Sequence, residues 1–221
     1  MACCTFHLIR HALVDPQAHA IHYGILDIPL CAATLGAEAP IYAALAARLP
    51  HPAHWVVTPL ARTQQTAEAI FAAGYPHCAL TAEPGLIEQD IGDWHGLAHH
   101  DLPPRLSRPA HPFWPMAADE VPPGGESMLD VIHRVGITID RLAAAHPGGH
   151  VVVVSHGGAI RAAIAHVLAI PPEAALRLGV DNLSLTELER QDGQWRVVRI
   201  NDAPLARPVA DARSIAEEVH Q

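Results

Sequence analysis

The sequence predicts an α/β fold: a three-layer α/β/α sandwich around a largely parallel central sheet. Short apolar runs rich in strand formers alternate with alanine-rich stretches of helical spacing. The run "HVVVVS" is continuous enough to be buried on both faces. Half of the 221 residues are apolar, which is enough for one substantial core. A single domain over residues 1–221 is expected, with a proline-rich cap or insertion loop at about 97–125.

"CCTFHLI" (Cys3 to Ile9) reads as the first strand, ending at Arg10-His11, and an irregular stretch follows through Pro29. Thr34 to Leu49 has helical spacing, with Pro40 predicting a late start or a kink. "HWVVT" is a second buried strand that passes at Pro59 into a helix, "PLARTQQTAEAIFAAG", closed by Gly74. The glycine-rich acidic stretch "LTAEPGLIEQDIGDWHG" (Leu80 to Gly96) is either a solvated turn or the carrier of a proton donor, Glu88.

Seven prolines among residues 97–125, with His111, Phe113 and Trp114, predict an ordered loop able to cover a pocket. Those three side chains either pack the loop on the core or stack on a ligand. Ser127 and Asp130 form a capping-box signal for a helix that runs to about Ala145. Four valines then make a strand with His156 at its carboxyl end, and Gly157-Gly158 opens a helix. "SLTELE" and "WRVVRI", joined by "RQDGQ", predict a terminal hairpin, followed from Ala203 by a loop and a short exposed helix.

Composition narrows the function. A formal net charge of -9 disfavours a nucleic-acid surface. The four cysteines include no C-x-x-C pair, so neither a disulfide framework nor a cysteine zinc site is indicated. The 17 histidines include no H-E-x-x-H, and no metal or other cofactor is expected. No apolar run reaches membrane-spanning length and the start lacks a signal-peptide pattern, so a cytoplasmic location is expected.

In a parallel sheet, ligands bind outside the strand carboxyl ends. Those ends would gather Arg10, His11, Arg62 and His156 with the helix N-termini at Gly157-Gly158 and near Pro59. Two guanidinium forks and free backbone N–H groups suit a tetrahedral dianion. A neutral histidine there can attack phosphorus to form a phosphohistidine, and a second can donate to the nonbridging oxygens.

The motifs "LIRHA", "TPLARTQQTA", "LIEQDIGDWHG", "PGGES" and "VVVVSHGGAIR" occur in the order and spacing of the histidine phosphatase superfamily. The chain thus resembles these phosphoglycerate mutase-like proteins over most of its length, with "DNLSLTEL" similar to their late asparagine-serine segment. The resemblance implies that His11 is the nucleophile and that Arg10 and Arg62 clamp the phosphoryl group. It implies His156 as the second pocket histidine and Glu88 as general acid, then base, with Asp90 and Asp93 as neighbouring alternatives. Gly157 would bind phosphate at the helix start.

Ala12, Val14 and Gln17 stand where the family has a glycine, a threonine or serine, and an asparagine. Gln17 keeps an amide for phosphate on a longer stem, while Ala12 would resist positive φ. "YGILDIPL" keeps the family pattern at Gly24, Asp27, Pro29 and Leu30.

A mutase must also hold a carboxylate and a second phosphate, yet the chain has no lysine, and the region after the acid motif offers only Arg105 and Arg108. Water is therefore the expected acceptor. The reading is a metal-independent phosphomonoesterase for a small phosphorylated metabolite, similar to α-ribazole phosphatases. The alternatives are cofactor-dependent mutase-type transfer and a degenerate phosphate-binding protein. The expected partner is a small phosphate ester, with no nucleic acid or membrane; a homodimer is compatible with the sequence but not indicated by it.

Overall fold

A computed structural model describes residues 3–204 and has one six-stranded sheet at its centre. The strands are β1 (Cys3–Arg10), β2 (His54–Val57), β3 (Leu80–Ala82), β4 (His150–Ser155), β5 (Leu185–Gln191) and β6 (Gln194–Asp202), in the order β3-β2-β4-β1-β5-β6. β3, β2, β4 and β1 run parallel, and β5 and β6 join antiparallel at one edge. The predicted hairpin is present. Its turn places Asp192 and Gly193 both at positive φ, the conformation that Asp-Gly favours between twisted strands.

Helices cover both faces. One face packs Phe6, Leu8, Val151 and Val153 against α4 (Met128–Ala145) and α5 (Gly157–Leu168) through Val135, Ile139, Ile160 and Ile164. The other packs Ile9, Trp55, Val152 and Val154 against α2 (Ala39–Arg48) and α3 (Ala61–Ala72) through Tyr42, Leu45 and Ile70. The valines of β4 alternate between the two cores and all four are fully buried, each contributing roughly 1.5–3 kcal/mol. That burial fixes β4 between β1 and β2, so the carboxyl ends of all three open side by side.

Pro40 marks a division rather than a kink. α1 (Ala32–Ala37) stops, Glu38 serves as the junction, and α2 begins with Pro40 in its first turn. α4 starts at the predicted capping box, in which Ser127 and Asp130 satisfy each other's backbone N–H groups. β3 and the short α6 (Pro172–Ala175) lie beyond the sequence reading. Residues 97–125 hold only two 3-10 turns, His99–Asp101 and Pro103–Arg105, in keeping with the expected irregular loop. The helix expected in the tail falls outside the described residues.

Candidate active site

Three strand ends and one turn converge. Arg10 ends β1, Thr58 follows β2, and His156 follows β4 as the N-cap of α5. The end of β1 is pinned on both sides, because His11 N–H donates to Ser155 O at 2.9 Å and Leu183 N–H donates to Arg10 O at 2.9 Å.

His11 is buried at 2 % exposure and its Nδ1 lies 2.7 Å from the Ala12 carbonyl. A carbonyl only accepts, so Nδ1 carries the proton and Nε2 keeps a free lone pair. Burial, together with the charges of Arg10 and Arg62, pushes the pKa of His11 well below 6.5, so the neutral ring prevails. The His156 ring stands 5.2 Å away, edge-on. Its Nδ1 accepts from Arg62 Nε at 3.3 Å, which leaves the proton on Nε2, 2.9 Å from Thr58 Oγ1. Both nitrogens of His156 are thus engaged, and donation to a phosphoryl oxygen requires one of these bonds to be exchanged.

Arg62 is fully buried. Beyond its bond to His156, Nη1 donates to Leu26 O at 2.6 Å and Nη2 to Gly24 O at 2.7 Å, with the Tyr23 ring 5.3 Å from the guanidinium carbon. Two of its five N–H donors remain for a ligand. The 24–30 loop is tied to α3 twice more, by Ala61 N–H to Asp27 and by Leu30 N–H to Gln65. Gly24 sits at φ 40°, and a Cβ there would lie 2.7 Å from His95 Nε2 and 2.9 Å from Gln89 O. This explains the glycine and aspartate of "YGILDIPL".

Beside this cluster opens a cavity of about 330 Å³ lined by Arg10, Tyr23, Glu88, Trp114, Gly157 and Arg161, among others. His11, Arg62 and His156 lie buried at its edge: His11 follows Arg10 in the chain and His156 precedes Gly157. Arg10 donates from Nη1 to Val180 O at 2.6 Å, while its buried Nε has no partner among the described residues.

Glu88 caps α5. One carboxylate oxygen accepts from Gly158 N–H at 3.1 Å and the other from Gln89 N–H at 2.9 Å. A Cβ on Gly158 would stand 2.2 Å from Glu88 Oε1, so the second glycine of "SHGG" is required by the approach of the acid. The first, Gly157, leaves room for Arg161 Nη1 at 3.1 Å and Arg10 Nε at 3.5 Å. Of the alternative acids, Asp93 is exposed and Asp90 accepts from Gly92 N–H; neither lines the cavity.

Three residues outside the sequence reading complete the site. Arg134 on α4 donates to the carbonyls of Gly85, Ile87 and Glu88 at 3.1, 2.9 and 2.9 Å, and pairs with Glu126 at 2.7 Å. Glu126 in turn accepts from Asp90 N–H. Together they fix the backbone that carries Glu88. "PGGES" holds Glu126, but nothing in local spacing links it to Arg134 and the acid. Arg161, in "GGAIR", also faces the cavity, with its guanidinium 5.0 Å from the Trp114 ring.

The expected departures resolve by packing. Ala12 does not occupy the left-handed region, and its methyl joins the core with Ile9, Leu30 and Leu183. The expected positive-φ strain is absent. Val14 is buried and bridges to Leu30. Gln17 is exposed on a 3-10 turn (Pro16–Ala20), with its backbone N–H on Asp15, and does not line the cavity. In the covering loop, Phe113 is exposed at 64 %, His111 packs inside, and Trp114 both lines the cavity and donates to Gln89 Oε1 at 3.2 Å. Among the described residues, no three His, Cys, Asp or Glu side chains converge as a cation site.

A sequence model of the Histidine phosphatase superfamily (branch 1) matches residues 6–203. A protein named probable phosphoglycerate mutase GpmB from Salmonella paratyphi C is 28 % identical over 189 residues, 86 % of each chain. The structure of a mycobacterial glucosyl-3-phosphoglycerate phosphatase superimposes with a TM-score of 0.77 at 27 % identity, over 90 % of this chain and 99 % of that one. A putative α-ribazole-5'-P phosphatase from Escherichia coli shares the fold with a TM-score of 0.76 at 22 % identity, over 93 % and 99 %.

Two outcomes follow from this geometry. Gly158→Ala drives a methyl into the Glu88 carboxylate and should lower kcat/KM by about 10²-fold while leaving the fold intact by circular dichroism. Stability should also fall in mild acid. His11 and His156 are held neutral well below 6.5, and burial lowers His7 and His22 to about 4. The unfolded chain therefore binds more protons than the folded one as pH drops from 6.5. Stability is full above that value and is lost toward the folded pKa values, by up to about 1 kcal/mol per histidine per pH unit. Urea midpoints at about pH 7.5 and about pH 5.5 should show it, and equal midpoints would contradict it.

Proposed function

The chain belongs to the histidine phosphatase superfamily, and we propose that it is a metal-independent phosphomonoesterase for a small phosphorylated metabolite, acting through a phosphohistidine at His11. One observation carries this reading: His11 is neutral and buried, with Nδ1 committed to the Ala12 carbonyl at 2.7 Å and the Nε2 lone pair uncommitted. That is the tautomer a phosphorus-directed nucleophile needs.

In the first step, His11 Nε2 bonds to phosphorus as the ester P–O bond breaks, and the departing oxygen takes the proton of the Glu88 carboxyl. An arriving dianion competes with the Glu88 carboxylate for the Gly158 amide. Arg10 and the two spare donors of Arg62 face the charge on the nonbridging oxygens, with the amide of Gly157 as a further donor. In the second step, Glu88, now a carboxylate, removes a proton from water as its oxygen attacks the phosphohistidine. The P–N bond breaks, inorganic phosphate leaves, and His11 returns to the neutral ring. The bond from Arg62 Nε to His156 Nδ1 gives His156 a second task, to fix the orientation of that guanidinium.

The curated relatives named as probable mutases favour phosphoryl transfer to a second metabolite as the alternative. Product analysis separates the two: release of inorganic phosphate supports hydrolysis, and a repositioned phosphate on the substrate supports a mutase.

Rapid quench with ³²P-labelled ester should trap an acid-labile, base-stable adduct on the wild type and none on His11→Ala. Turnover without any adduct on His11 would refute the nucleophile. For Glu88→Gln we expect a loss of ~10²–10⁴-fold that is largest for poor leaving groups and shrinks for aryl esters. An equal loss across leaving groups would remove Glu88 from the role of acid.

A further inference from the structure

The histidine of "GDWHG", His95, takes no part in the reaction above. Its neighbours in the motif fix where it stands. Trp94 is buried in a small core with Ile91, Leu102 and Met116. Gly96 N–H donates to His22 O at 2.9 Å, and His22 N–H donates to Leu97 O at 2.8 Å. The segment after the acid is thereby laid along the segment before Gly24, and His95 meets the turn from Tyr23 to Leu26.

That turn orients Arg62. It closes with Leu26 N–H on Tyr23 O at 2.7 Å, and its Gly24 and Leu26 carbonyls accept from Arg62 Nη2 and Nη1. Ile25 N–H donates to His95 Nε2 at 3.2 Å. An accepting Nε2 puts the proton of the neutral ring on Nδ1. Asp90 Oδ1, 3.8 Å from the same nitrogen, stands beyond hydrogen-bond reach and accepts from Gly92 N–H at 2.9 Å. The Gly24 carbonyl and the Ile25 amide belong to one planar peptide group, whose C=O and N–H point to opposite sides. Arg62 therefore holds one side of that plane and His95 the other. The imidazole also lies against Gly24, where an added Cβ would come within 2.7 Å of Nε2. Without an acceptor at position 95, the amide is satisfied only if the peptide plane rotates, and rotation turns the Gly24 carbonyl away from Arg62.

We propose that His95 is a positioning residue for the phosphate clamp. Through the Gly24–Ile25 peptide it sets the direction in which Arg62 presents its spare donors. The inference rests on the phosphomonoesterase reading for what Arg62 grips, and it makes an acceptor at position 95 a requirement for that grip.

His95→Phe keeps a ring and removes the acceptor, whereas His95→Gln places an amide oxygen near the position of Nε2. The calorimetric Kd of inorganic phosphate and kcat/KM for phenyl phosphate should both worsen by about tenfold in His95→Phe. In His95→Gln both should stay within about threefold of wild type. The Arg62 Nε–H signal in a ¹H–¹⁵N spectrum, identified by its loss in Arg62→Lys, should shift or broaden in His95→Phe and return in His95→Gln. If His95→Phe does not fold, the smaller His95→Leu serves the same comparison. Equal losses in His95→Phe and His95→Gln overturn the inference, as does an unchanged phosphate Kd with an unchanged Arg62 signal in His95→Phe. A wild type that neither binds phosphate nor hydrolyses any ester removes the phosphatase reading, and the Arg62 signal alone then decides for or against His95.

Discussion

The site depends on one contact, the Glu88 carboxylate on the Gly158 amide. The first turn of α5 presents unsatisfied N–H groups and the positive end of the helix dipole, and an anion there contributes about 0.3–1 kcal/mol or somewhat more when partly buried. This contact brings the turn after β3 against the end of β4. Ser155 Oγ reinforces it by donating to Leu86 O at 2.7 Å, and Arg134 braces the same turn from α4. The acid, the helix start and the histidine pair are therefore one mechanical unit. The second glycine of the motif follows from this contact, because any side chain at Gly158 would occupy the place of the carboxylate.

How much of this was legible in the sequence depended on the range of the interaction. The buried run of β4 and the "RH" and "SHGG" strand ends show in local pattern, so the parallel strand ends and their gathered residues could be read directly. The capping box of α4 and the Asp-Gly hairpin are also local and were readable. β3 was not, since three residues, two of them exposed, carry no periodicity and stand only because β2 pairs with them. Arg134 and Arg161 escaped for the same reason. Each sits on a regular helix, and its task appears only when a segment from elsewhere in the chain is placed against it. For Gln17, the motif position suggested a ligand, but the 3-10 turn sends it to the surface.

The departures at Ala12 and Val14 show how a polar loop can be rebuilt from apolar parts. The chain after His11 folds back so that Val14 pairs with Leu30, and both enter or flank the core under α2 and α3. Burying Val14 contributes roughly 1.5–3 kcal/mol, stability that a hydroxyl at the same place would not supply. Polar ties are retained where the backbone needs them: Ala12 N–H bonds to Thr66 at 3.0 Å, and Asn182 reaches the carbonyl of His11 at 2.7 Å. His11 is thus held by main-chain bonds and packing, which do not depend on a side-chain hydroxyl at position 14.

Arg134 hangs the turn that carries Glu88 from the long helix α4, not from the irregular proline-rich loop. The loop side chain Trp114 reaches the same turn only through the neighbouring Gln89. Changes in the length or surface of the 97–125 loop would leave the bracing of Glu88 by Arg134 in place.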